Sequence, residues 1–142
     1  MKKILIGLVL ITAFISCSDT DEVEHCGPPL IIDEDLFQSV DPDPGLFIID
    51  HNLDDECLIL TIGFSGCDPE HTIQLVTDGA VAESFPVQVQ FKLNDLNPQL
   101  CEAYFEKEYA FDLDELDDLL DSEPKARMIF VQQGIEILWE RE

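Results

Sequence analysis

Residues 84–94 read SFPVQVQFKLN. Phe85, Val87, Val89, Phe91 and Leu93 share one parity, and Gln88, Gln90, Lys92 and Asn94 share the other. A period of two scatters its apolar residues all round a helix but gathers them on one face of a strand. This stretch therefore demands a sheet with one face turned to a core. Pro86 has no N–H to give a ladder, which places it at the start of the strand or on an edge.

The rest of the chain repeats the pattern at near-regular spacing. In residues 57–64, Leu58, Leu60, Ile62 and Phe64 fall on one face. In residues 71–77, Ile73 and Leu75 do so, and His71 has their parity. Residues 101–113 alternate through Cys101, Ala103, Phe105, Tyr109 and Phe111; Lys107 interrupts that face and predicts a bulge or local exposure. Residues 46–49, 126–132 and 135–140 complete the strands, the last two joined through Gln133-Gly134. Turns are expected at Asp41-Pro42-Asp43-Pro44-Gly45, in polar residues 51–56 and at Asp78-Gly79. Leu113, Leu116 and Leu120 recur at helical spacing among acids. About seven strands and no long helix predict an all-β fold. The expected form is a small antiparallel β-sandwich, immunoglobulin-like or related, with one short helical segment; a small barrel is the other solution.

The start of the chain is of a different kind. Lys2 and Lys3 precede an almost unbroken apolar run of twelve residues, Ile4 to Ile15, too short to span a bilayer as a helix. Phe14-Ile15-Ser16-Cys17 resembles the lipobox of a bacterial lipoprotein signal, with Phe14 where Leu is usual. The resemblance implies cleavage before Cys17 and acylation of its sulfur and new amino group. The disfavoured alternative is an ordinary secretory signal with a chance cysteine. Residues 18–25, SDTDEVEH, are half acidic and read as a solvated tether. Acids directly after the lipid cysteine resemble the export signal that sends Bacteroidota lipoproteins to the outer face of the outer membrane; without it the protein would face the periplasm. The expected organisation is a signal peptide over 1–16, a lipidated cysteine and tether over 17–27, and a single sandwich domain over 28–142.

Loss of residues 1–16 removes two lysines and no acid, so the formal charge moves from −24 to −26 over the remaining 126 residues. That length suffices for one domain with a real core. The charge excludes nucleic acid as partner, because phosphate contacts need clustered Lys and Arg. It also excludes electrostatic docking on anionic lipid. Of five cysteines, four remain beside Cys17: Cys26, Cys57, Cys67 and Cys101. An even number in an exported chain predicts two disulfides with three possible connectivities. Cys67–Cys101 with Cys26–Cys57 is favoured, the second pair pinning the start of the domain to a strand.

Gly63-Phe64-Ser65-Gly66-Cys67, followed by His71, resembles a group of uncharacterised Bacteroidota lipoproteins of flavobacterial type. The likeness continues through residues 98–103, Phe111-Asp112-Leu113 and a closing hairpin over 131–139, and covers most of 46–140. It bears on fold and cellular address and implies no activity.

Several residues could carry chemistry. Cys67, His71 and Cys101 could hold zinc or copper, with the fourth position open. The competing reading is a disulfide with His71 packed beside it, which an oxidising compartment favours. A Cys67–His71 nucleophile would need a free thiolate. Gly63-Phe64-Ser65-Gly66 lacks the spacing of a hydrolase elbow. Asp50, Asn52 and Asp54 match the first half of a calcium loop, but Asp55 and Thr61 stand where Gly and Glu are required, so a hairpin turn is preferred. Asp114, Glu115, Asp117, Asp118 and Asp121 read as a solvated helix face rather than paired catalytic acids. Tyr104, Tyr109 and Trp139 could form an aromatic platform, although Trp139 has the parity of Ile135 and Ile137 and reads as core.

The sequence thus points to a lipid-anchored outer-membrane protein, displayed outward, that acts as a non-catalytic binding or structural module. Its partners would be the membrane, through the anchor, and another envelope or extracellular protein. No cofactor is expected; the alternative is a metal-binding lipoprotein using Cys67, His71 and Cys101.

Overall fold

A computed structural model describes residues 25–141. The signal segment 1–16, Cys17 and the acidic tether up to residue 24 lie outside the described residues. Two sheets face each other. One has five strands in the order β1 (Ile31–Ile32), β4 (Ile73–Ala82), β5 (Val87–Asp95), β7 (Lys125–Phe130), β8 (Ile135–Glu140). The other has three, β2 (Leu46–Asp54), β3 (Cys57–Gly66) and β6 (Ala103–Asp112). The all-β sandwich is as expected. The number of strands is eight, and two of the pairings, β1 with β4 and β5 with β7, are parallel rather than antiparallel. Both parallel pairs arise because the chain visits the three-stranded sheet between their members.

The core lies where the alternation points. Leu58, Leu60, Ile62 and Phe64 of β3 are fully buried, facing Leu75 of β4, Val89, Phe91 and Leu93 of β5, and Met128 and Phe130 of β7. Helix α2 (Asp114–Leu120) lays Leu116 and Leu120 on the same cluster. Trp139 is 2 % exposed and belongs to it. Thus Trp139 contributes packing, worth about 3–5 kcal/mol for such a ring, rather than a binding surface.

Three local features differ from expectation, and two open alternatives are decided. A second helix, α1 (Glu34–Ser39), follows β1 and covers the outer side of β4, burying Phe37 against it. Asp33 caps it, its carboxylate accepting from the Leu36 N–H at 2.8 Å. Lys92 Nζ donates to the carbonyls of Phe37 and Val40 at 2.7 and 3.0 Å, closing the helix's negative end. Strand β2 runs on through Asp54, and the turn contracts to Asp55-Glu56, with Asp55 at φ 53°. Asp78-Gly79 is no turn: it is a register shift within β4, where Gly79 takes φ +78°. A glycine bulge and turns of types II, I′ and II′ all use a positive φ, so the dipeptide signals either. At Lys107 the β3–β6 register is unbroken, so the expected alternative of exposure applies. Lys107 points to the core side of edge strand β6, lies near Glu70 at 3.5 Å and covers the Tyr109 ring. An inward charge on an edge strand hinders further strand addition. Pro86 precedes β5, which is paired on both sides, so it marks the strand's start and not an edge.

Candidate functional site

Each end of the three-stranded sheet is closed by a disulfide. Cys67 follows β3 and Cys101 precedes β6, and the ladder that ends at Gly66↔Ala103 is locked by the Cys67–Cys101 bond, Cα–Cα 4.9 Å. At the other end Cys26 is bonded to Cys57, Cα–Cα 6.0 Å. Both pairings are the favoured ones.

His71 stands beside the first disulfide. Its Nδ1 meets Asp95 Oδ2 at 2.5 Å, and its ring lies 4.4 Å from the Phe64 ring centroid. Tyr109 donates its hydroxyl to the His71 carbonyl at 3.2 Å. Burial, with help from the Asp95 and Glu70 carboxylates, pushes the Tyr109 phenol up to about 12, so it remains a donor throughout ordinary pH. Nε2 of His71 is buried and meets no hydrogen-bond partner among the described residues. It faces Gly66, where a Cβ would lie only 2.6 Å away; the ring fits because that residue is glycine. Gln99 Oε1 accepts from the N–H groups of Cys67 and Asp68 and holds the loop in place. Because the two sulfurs are bonded to each other, neither is a thiolate. A Cys67–His71 nucleophile is therefore not assembled, and a Cys67–His71–Cys101 metal centre would require the disulfide to open.

The second end contains a group that sequence reasoning missed. His25 Nδ1 meets Asp112 Oδ2 at 2.5 Å, and Asp112 Oδ1 accepts from the Asp114 N–H at 2.9 Å. Donor atoms of His25, Asp112 and Asp114 lie within 4.8 Å of one another, a nitrogen and oxygen set that a divalent cation could use. Eighty-seven residues separate His25 from Asp112, and no local motif announces such a meeting. The site borders two shallow grooves, of about 220 Å³ along Cys26, Asp54 and Cys57 and about 440 Å³ along Trp139 and Arg141; Asp55 and Glu56 line both.

The charges at this end are interdependent. A hydrogen bond to Asp114, with burial and the neighbouring carboxylates, holds Glu56 above the usual range. Burial acts to raise Asp112, but the Asp114 N–H and the His25 ring outweigh it and hold the carboxyl below its usual value. The Asp112 hydrogen bond raises His25. The contribution of His25 is thus complete below its ordinary value of 6.5 and is lost as pH rises through the raised one. That of Asp112 is complete above its ordinary 3.8 and is lost as pH falls through the lowered one. The pair is at full strength between those two values. Thermal unfolding of the native chain and of His25→Ala should therefore differ most near about pH 5 and converge as the pH rises past the raised His25 value. A gap that stays constant over that range would rule out the pairing.

A third region is the outer face of the three-stranded sheet. Reading across it, Phe47 pairs with Gly63 and Gly63 with Glu106; Asp50 with Thr61 and Thr61 with Glu108; Asn52 with Ile59 and Ile59 with Ala110. The Phe47 and Tyr104 rings lie nearly parallel, 10° apart with centroids 6.0 Å apart, and meet over Gly63, where a Cβ would come within 2.8 Å of both. Such rings shield a glycine that has no side chain of its own to cover the sheet. They remain 40 % and 51 % exposed. Tyr104 donates its hydroxyl to Glu106 at 2.6 Å, which raises its own phenol. Tyr104 is the one member of the expected aromatic platform that faces solvent, and its companion is Phe47.

The remaining candidates lie apart. Asp50, Asn52 and Asp54 stand in the extended strand β2 rather than in a loop that encircles an ion. Glu115, Asp118 and Asp121 line the exposed side around α2, while Asp117 binds Arg141 at 2.6 Å. No helix among the described residues is long and apolar enough to cross a membrane.

No protein-family profile and no curated protein matches the chain. Among solved structures, the fold is similar to a protein of unknown function, DUF1344, from Bacteroides vulgatus, at TM-score 0.55 and 14% identity. It is also similar to a protein from Parabacteroides distasonis described as toxin related, at TM-score 0.50 and 18% identity. Each alignment covers 82% of this chain, but only 56% and 62% of the other chains. The chain thus spans little more than half the length of these neighbours, and the likeness is one of fold.

Proposed function

We propose that this chain is an exported, lipid-anchored outer-membrane protein whose sandwich faces the cell exterior and acts as a non-catalytic binding module. The observation that carries the reading is the cysteine pairing. Cys26 with Cys57 and Cys67 with Cys101 use four of the five cysteines, and disulfides of this kind belong to oxidising compartments. The fifth is Cys17, directly behind a short apolar run preceded by two lysines. One acyl chain anchors only marginally, so stable retention follows from several on one cysteine. A metal-binding alternative at Cys67, His71 and Cys101 is supported by the unpartnered His71 Nε2, and needs the disulfide reduced.

Expression of the full chain in a Gram-negative host with labelled palmitate tests the anchor. The native chain is expected to take up label and to fractionate with the outer membrane. Cys17→Ala is expected to lose the label entirely and appear in soluble fractions. Equal labelling of both would reject Cys17 as the lipid site.

A further inference from the structure

We infer that the outer face of β2, β3 and β6 is a docking surface for a cationic partner, a protein segment that presents arginine or lysine to the Phe47 and Tyr104 rings. The inference deepens the binding-module reading and rests on it. Two nearly parallel rings stand partly open to solvent, and the face of an aromatic ring carries the negative part of its quadrupole. Carboxylates surround them: Glu106 and Glu108 on β6, and Asp50 on β2. Ile49, at the register shift of β2, and Ile59 extend the apolar area beside them. Guanidinium and ammonium groups are drawn both to ring faces and to carboxylates.

The face has no counter-charge of its own. The five cations among the described residues all lie elsewhere. Lys92 caps α1, Lys107 lies near Glu70, Lys125 pairs with Glu140, Arg127 with Glu136 and Arg141 with Asp117. The apolar and acidic residues of this face are therefore unopposed. Other occupants fail on charge. The residues just before His25 include Asp19, Asp21, Glu22 and Glu24 and no base, so the chain's own tether is repelled. A second copy docking by a two-fold axis sets the same carboxylates against each other. Nucleic acids and acidic glycans carry the wrong sign.

The test uses the full-length chain in detergent micelles, titrated calorimetrically with a short peptide of alternating arginine and glycine at about 0.15 M salt. The same peptide with citrulline in place of arginine removes the charge and keeps the shape. Phe47→Leu with Tyr104→Leu keeps an apolar cover over Gly63, so the fold is retained while the π faces are lost. This variant should weaken binding by roughly five- to ten-fold. Glu106→Gln with Glu108→Gln should weaken it by a comparable factor. Glu115→Gln with Asp118→Asn, an equal charge change on α2, should leave it within about two-fold, and the citrulline peptide should not bind. The inference is overturned if the α2 variant weakens binding as much as the β6 variant, because the attraction is then diffuse. It is overturned equally if the leucine variant binds as the native chain does, if the arginine peptide does not bind, or if only a neutral glucan oligomer binds. Cys17 labelling is read separately, so a chain that takes up lipid but ignores the peptide loses the partner and keeps the anchor.

Discussion

Replacing Cys67 and Cys101 by serine is expected to lower the unfolding free energy by about 3–4 kcal/mol. The bond joins residues 34 apart, and the chain entropy released on opening a loop of that size sets the magnitude. The Cys26–Cys57 bond joins residues 31 apart, so the entropic share is nearly the same. Any difference between the two variants therefore reports native surroundings. Cys67–Cys101 closes the end of a ladder next to the buried His71, whereas Cys26–Cys57 holds the described chain's first residues to the sheet. Loss of the former should thus be the more damaging. Against a total stability of about 5–15 kcal/mol, either loss is large, and a chain with both bonds reduced should be largely unfolded at body temperature. Urea midpoints of the oxidised protein and the two serine variants decide the matter. A fall below about 1 kcal/mol for the Cys67 and Cys101 variant would show that the bond closes nothing the fold does not already hold.

Phe64→Ala is expected to cost about 3–5 kcal/mol. Phe64 is 1 % exposed and its ring touches His71, with Phe105 and Tyr109 at centroid distances of 5.9 and 6.4 Å. Its loss leaves a cavity lined by rings that cannot collapse freely, because His71 is tied to Asp95 and Tyr109 to the His71 carbonyl. Phe47→Ala is the matching control. Phe47 lies on the neighbouring strand but on the outer face, so it should cost about 1 kcal/mol or less. Chemical denaturation of both variants separates the faces. Equal effects would mean that the inward and outward sides of the sheet have been misassigned.

The contrast shows what the sequence could reveal. Alternation places a residue on a face, and Leu58, Leu60, Ile62 and Phe64 in β3 are fully buried where their parity puts them. Parity also makes Trp139 core, as it is. It does not reveal which side of a sheet is further covered. Val76 has the outward parity of β4 yet is fully buried, in the strand that α1 packs against. That helix is six residues long, too short for its periodicity to stand out from a strand fragment. Asp78-Gly79 signals a turn as readily as the register shift it makes, because a glycine at positive φ serves both. The parallel pairings were hidden because they join segments far apart in the chain.

The candidate sites follow the same division. The disulfide pairing was legible because four cysteines allow few connectivities and one of these pins the domain's start. His71 beside Cys67 was legible from spacing. Asp95 as its partner was not, since it lies 24 residues away at the end of β5. Phe47 and Tyr104 come together only through the register of three strands, across a glycine that gives no signal of its own.

The Cys26–Cys57 bond also determines how the domain bears load. Tension on the residues before His25 meets the His25–Asp112 contact first and then the first covalent tie, Cys26, where it crosses the bond into β3. That strand is paired with β6 from Cys57 to Gly66 and with β2 from Cys57 to Phe64, so the pull is shared between two antiparallel ladders. The two-residue β1 and α1, which follow Cys26 in the chain, are bypassed. A domain held from that end and pulled by whatever it binds would transmit force through the middle of its smaller sheet, leaving its weakest elements slack.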